Sequence, residues 1–201
     1  MSLELAFAAF LAAAAIPSGL PFTDWFTARG VKVAIARMSE GPPWLLGTAE
    51  LPVAVEKVAA VLTDFQHYKD LFAPVVRSAR VVEAGEGSAR IHFVWAYPFP
   101  FKNRDAVVLY RSEKSEAGPF VLSWMADPRP EDPKEGVRIQ RVSGETRVEP
   151  LGPSRCRVTY TYLGDLGGKF PGWAQEKAWK EEPVQYIRAI RRRLELPDPV
   201  N

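Results

Sequence analysis

Cysteine and histidine are scarce: the 201 residues include 1 cysteine, Cys156, and 2 histidines, His67 and His92. A lone cysteine excludes an internal disulfide and every multi-cysteine zinc pattern, and the two histidines lie too far apart for a paired metal motif, so no metal and no cofactor are expected. Charge of one sign is missing too. Lys and Arg total 26 against 24 Asp and Glu, a net +2, which falls short of the concentrated basic field that nucleic-acid binding needs. No apolar run reaches the ~18 to 20 residues of a spanning helix, so a soluble protein is expected. What remains, 47% hydrophobic and 25% charged, is ordinary globular composition with length for one sizeable core.

Residues 5–16 read LAFAAFLAAAAI after Glu4, with no Lys or Arg before Arg29. Two readings stay open: a signal-like leader that lacks its basic n-region, or an N-terminal helix ended by Ile16-Pro17-Ser18-Gly19. The expected organisation is therefore residues 1–20 as that segment and 21–201 as a single domain. A cytoplasmic location is expected, or a periplasmic or secreted one if residues 1–20 are cleaved.

Further along, Gly30 to Arg37 alternates as a half-buried strand does, and Leu45 to Leu51 is a second strand candidate. Pro52 opens a helix on which Val55, Val58, Ala59 and Leu62 share one face. From Pro74 the pattern becomes a meander: Val75 to Glu83, Ala89 to Tyr97, Arg104 to Ser112, Phe120 to Ala126, Val137 to Glu149 and Cys156 to Leu163. Asp127 to Gly136 reads as a long exposed loop. Lys169 to Leu196 is an amphipathic helix that carries Trp173, Trp179, Val184, Ile187, Ile190 and Leu194, with Pro183 expected to bend or divide it. Its basic end holds Arg188, Arg191, Arg192 and Arg193.

One face of each central strand is aromatic or aliphatic: Ile91, Phe93, Trp95 and Tyr97; Ala106, Val108 and Tyr110; Phe120, Leu122 and Trp124; Cys156, Val158, Tyr160 and Tyr162. Alternation alone does not distinguish a packed core from the wall of a cavity.

The order of motifs resembles the StAR-related lipid-transfer (START) domain family of the helix-grip class, over Asp24 to Leu194. The carrying pieces are Trp25 with Gly30-Val31-Lys32-Val33, the segment Val61-Leu62-Thr63-Asp64, and a Pro-rich hairpin from Tyr97 to Arg104-Asp105. Gly167-Gly168-Lys169-Phe170-Pro171-Gly172-Trp173 then introduces the last helix. The resemblance implies an α+β helix-grip fold, a curved antiparallel sheet wrapped around a long C-terminal helix, with a tunnel for one lipid between them. It turns Trp95, Tyr110, Leu122, Trp124 and Val142 toward the ligand, with Ile187 or Ile190 from the helix. Phe93, Tyr97 and Val108 join them as neighbours on the same strand faces, and Gln140 if it points inward. Several family members carry an arginine where this chain has Tyr110, and Ile91 stands near the place of its acidic partner. A cavity with little fixed charge is thus expected, suited to a sterol, fatty acyl chain or other mostly neutral lipid.

His92 is expected on the exposed strand face, His67 in a surface turn, Cys156 as a buried inert thiol, and Arg104 with Asp105 as a pair fixing the hairpin. None forms a catalytic constellation. The expected function is non-enzymatic lipid binding for transfer or sensing by a monomer. The C-terminal helix is expected to gate it, lifting with the loop Asp127 to Gly136 or the Tyr97 hairpin, and its basic end to touch a membrane transiently. The alternative is a polyketide cyclase or aromatase-like enzyme of the same superfamily.

Overall fold

A computed structural model of the chain describes residues 16–114, 118–167 and 170–199. The expected N-terminal segment lies for the most part outside them. Ten strands form one sheet: β1 (Thr23–Ala28), β2 (Val31–Ala36), β3 (Trp44–Leu51), β4 (Val76–Gly85), β5 (Ser88–Trp95), β6 (Arg104–Lys114), β7 (Phe120–Ala126), β8 (Val137–Arg138), β9 (Val142–Gly152) and β10 (Arg155–Gly164). The order is β1-β2-β3-β10-β9-β7-β6-β5-β4, antiparallel throughout, with the short β8 lying parallel to β6. The described helices are α1 (Val55–Thr63), a single turn α2 (Tyr68–Leu71) after a 3-10 turn, and the 22-residue α3 (Gly172–Arg193). No described helix is long and apolar enough to cross a membrane. The curved antiparallel sheet gripping a C-terminal helix is the fold the sequence implied.

Three expectations about elements need correction. Thr23–Ala28 forms an additional strand on β2, hidden because TDWFTA lacks a clean period of two. The expected strand from Val137 to Glu149 is broken at residues 139–141, so β8 and β9 are separate elements with different neighbours. Finally, of the two outcomes expected at Pro183, division does not occur: α3 runs through it as one helix. The proline ring is buried against β3, where a Cβ on Gly47 would come within 2.7 Å of Pro183 Cβ. Close packing of helix on sheet therefore accommodates a residue that costs the helix a hydrogen bond.

Helix α3 has two halves of different character. From Pro183 to Arg191 most residues are buried, including Val184, Ile187 and Ile190, whereas Gly172 to Lys180 are exposed or half-buried. Fully burying each of Ile187 and Ile190 is worth about 1.5 to 3 kcal/mol, so the C-terminal half anchors the helix. The cationic end adds to this. Arg191, 3% exposed, donates to the carbonyls of Arg29 and Gly30. Arg192 donates to those of Leu71 and Ala73, while Arg188 and Arg193 pair with Asp198 and Asp64. These contacts tie the end of the helix to neighbouring backbone and carboxylates, while Arg192 and Arg193 stay exposed.

Candidate functional site

Between the concave face of the sheet and α3 lies a cavity of about 300 Å³, at the lower end of the range for ligand pockets. The sheet contributes Phe93, Trp95, Val108, Tyr110, Trp124 and Val142, together with Tyr160 and Tyr162 of β10, and Tyr97 adjoins them from the segment after β5. Residues 72–76 form one rim, Leu166 another, and α3 closes the remaining side with Ala178, Trp179, Glu181, Glu182, Gln185, Tyr186 and Ala189. These helix positions recur every three or four residues, so they share one face.

Of the residues expected at the ligand, Phe93, Trp95, Tyr97, Val108, Tyr110, Trp124 and Val142 line the cavity. Leu122, Ile187 and Ile190 do not: all three are fully buried in the apolar core. The amphipathic pattern of α3 indicates an inward side, but that side is wide enough to hold both the core stripe of Val184, Ile187 and Ile190 and the cavity stripe of Trp179, Glu182 and Tyr186. Gln140 is also misplaced, exposed in the break between β8 and β9. Tyr160 and Tyr162 carried the same alternation signal as the residues chosen, and nothing in the sequence separated them from those.

Glu182 changes the electrostatic picture. The expected shortage of fixed charge does not hold, because this carboxyl is part of the wall. Burial pushes its pKa above the ordinary carboxylate value, against the smaller opposing effect of a hydrogen bond that Tyr160 Oη donates to Oε1 at 2.8 Å. Among the described residues, no Lys, Arg or His pairs with it and Oε2 has no partner. Burial likewise holds the phenols of Tyr110, Tyr160 and Tyr162 well above their ordinary value, with Glu182 adding repulsion to each. They remain protonated, as hydrogen-bond donors. Tyr186 hydrogen bonds Thr146 at 2.8 Å, whereas Tyr110 has no hydrogen-bonded carbonyl among the described residues.

The rings form a continuous surface. Tyr160 stacks on Tyr186 with centroids 3.9 Å apart, and Trp124 and Tyr162 flank Tyr160 at 5.5 and 5.8 Å. Gly144 makes room for this: a Cβ there would lie 2.5 Å from Trp124 Cζ2 and 2.3 Å from the Thr161 carbonyl oxygen.

The opposite face of the sheet holds what had been expected outside or elsewhere. His92 is completely buried, Nε2 donating to Asp105 Oδ2 at 3.1 Å and Nδ1 accepting from Arg80 at 3.2 Å. Alternation placed it opposite Phe93 correctly, but that face is covered by residues 127–138. Arg138 donates to Asp105 Oδ2 at 3.1 and 2.7 Å, the backbone N–H of Glu135 at 3.3 Å. Arg104 does not pair with Asp105. It donates to the carbonyls of Lys102, Leu166 and Gly167 and lies 4.3 Å over the Phe170 ring, which fixes the loop carrying Leu166 beside the Tyr97 hairpin. The loop Asp127 to Gly136 is pinned in turn, since buried Arg90 binds Asp127 and Asp132. None of its residues lines the cavity. Cys156 is buried as expected, its thiol pushed up to about 11, chiefly by burial. His67 is exposed and hydrogen bonds Asp64.

The START domain family model matches residues 46–199. The chain belongs to the START domain family. Over 158 residues it is 30% identical to the human StAR-related lipid transfer protein 8, a match spanning 76% of this chain and 15% of the relative's length. The START domain here is also similar in structure to a STAR-related lipid transfer protein from Xanthomonas axonopodis, with 25% identity and a TM-score of 0.77, covering 87% of this chain and 98% of that one. Human STARD10 shares the fold at 20% identity and a TM-score of 0.74, over 97% of this chain and 82% of that one. So does an aromatase/cyclase from a Streptomyces species, at 17% identity and 0.54, over 76% and 93%. The fold therefore houses both lipid transfer proteins and an enzyme.

Proposed function

We propose that this START domain binds one hydrophobic or amphiphilic molecule between its sheet and α3, for transfer or sensing. The cavity of about 300 Å³ with its aromatic wall carries the reading. Affinity comes from apolar surface removed from water, on the order of 25 cal/mol per Å². The lining residues named from the sequence act as ligand contacts together with Tyr160, Tyr162 and Tyr186. The test is to purify the protein from its own host and examine it by native mass spectrometry. A recurrent bound small molecule is expected, and Val142→Phe, which puts a ring into the void, should abolish it; an empty wild-type protein with no uptake from vesicles would reject the reading.

Entry is gated by the N-terminal half of α3. That half is the less buried, and at Pro183 the carbonyl of Trp179 loses its helical donor. Residues 172–182 therefore lift more easily than the anchored half. The membrane contact lies at this end also. Phe99 is 96% exposed, Trp173 69% and Val75 53%, on segments that line or adjoin the mouth, and apolar side chains of this kind enter a bilayer surface. Replacing Phe99 and Trp173 by serine should slow transfer between vesicles without changing affinity for a ligand in solution.

A specific observation also favours the second reading, a cyclase or aromatase-like activity: the wall holds five tyrosines and Glu182, more hydroxyls than the sequence led one to expect. Phenols held protonated orient carbonyls better than they remove protons. Incubation with a linear poly-β-keto thioester decides it, loss of water with ring formation being the positive result.

A further inference from the structure

The cavity wall contains two carboxyls, the exposed Glu181, 4.0 Å from Lys177, and Glu182, which among the described residues has no free cation to match it. Glu182 has a single hydrogen bond, from Tyr160, and Oε2 lacks a partner among the described residues. The guanidinium in the wall, Arg192, is spent on the carbonyls of Leu71 and Ala73 at 2.6 and 3.3 Å. Around the carboxyl stand the rings of Tyr160 and Tyr186 in stacked contact, with Trp124 and Tyr162 beside them. Trp179, one helical turn away, carries a buried indole N–H without an acceptor among the described residues.

We propose that the cavity prefers a ligand bearing a cationic nitrogen, with Glu182 as counter-charge and the surrounding tyrosine and tryptophan rings as π surfaces. This rests on the reading of the cavity as a ligand site. An anionic head would meet an uncompensated carboxylate in a region of low dielectric, where like charges repel strongly. A neutral hydroxyl satisfies a hydrogen bond but leaves the charge of this half-buried carboxylate uncancelled. An alkylammonium supplies the missing charge, and its weakly hydrated methyl groups are attracted to aromatic faces by the ring quadrupole.

The test uses the full chain, stripped of bound lipid, with three probes of matched length below their micelle concentrations: decyltrimethylammonium, decanol and decanoate. Binding is followed by tryptophan fluorescence and calorimetry. The ammonium probe is expected to bind at least tenfold more tightly than decanol, and decanoate weakest. Glu182→Gln should bring the ammonium probe to the level of decanol measured in the same variant. Glu182→Met repeats the comparison if the glutamine variant does not fold, each variant being checked by thermal unfolding. If decanol binds and the ammonium probe binds no better, or if both variants keep the preference, the cation inference fails while the ligand cavity stands. If the folded wild type takes none of the probes, the ligand cavity fails and the inference with it.

Discussion

Two carboxyls sit on opposite sides of the same sheet and are treated in opposite ways. Asp105, fully buried, receives His92, two nitrogens of Arg138 and a backbone N–H on one oxygen, and these bonds hold it below the ordinary carboxylate range despite the opposing effect of burial. Glu182 faces the cavity with one phenol and a raised proton affinity. On the outer face Asp105 Oδ2 and the carboxylates around Arg90 are met by the protein, although Asp105 Oδ1 is buried without a partner among the described residues, and the loop of residues 127–136 is locked as a result. On the inner face the protein leaves space and an unanswered acid. The difference separates structure from function: the outer carboxylate spends one oxygen on four donors of the fold, whereas a group left open to a void is available to something that enters it.

The comparison is broken most severely on its outer side. Asp105→Ala strands buried His92 and half-buried Arg138 without their acceptor, and should cost about 3 to 5 kcal/mol of stability in guanidinium unfolding; a loss below about 1 kcal/mol would show that the network holds nothing together. The inner side is breakable by shape instead of charge. Gly144→Ala drives a methyl group into Trp124 and the Thr161 carbonyl, with an expected cost of about 1 to 3 kcal/mol from overpacking. The near-ultraviolet circular dichroism should change as the Trp124–Tyr160 stack opens, and an unchanged spectrum would mean that the ring has room to spare.

The same contrast explains what was legible in the sequence. Strand alternation identified Phe93, Trp95, Tyr110 and Trp124 as one face, because a period of two is local and needs no partner. Motif order then implied how that face curves. Partnership was not legible. His92 looked exposed because nothing in the residues near it reveals that Arg80, Arg138 and Glu135 converge on its side of the sheet. Ile187 and Glu182 occupy the same broad side of α3, and only the three-dimensional crossing of helix and sheet decides that Ile187 packs beside Gly47 while Glu182 faces the void. Glu182 was passed over because a glutamate in an amphipathic helix ordinarily belongs to the solvated face.

The smallest effect has the opposite sign and sharpens the comparison most. Glu182 has a folded pKa above its ordinary 4.5, so between those two values the folded chain holds a proton that the unfolded chain has released. Stability must then fall as pH rises through that window. Asp105 runs the other way: its stabilisation is present above its ordinary 3.8 and disappears as pH falls through the lowered folded value. Glu182→Gln removes the first dependence and leaves the second. The variant should match wild type below about pH 4 and be the more stable protein near neutrality, the gap opening with pH in urea titrations. Parallel curves across the whole range would mean that the carboxyl is as well solvated in the cavity as in the unfolded chain. A gain at neutral pH on losing a charge would mark Glu182 as a residue retained at a cost to the empty fold, as expected of a group whose partner arrives from outside.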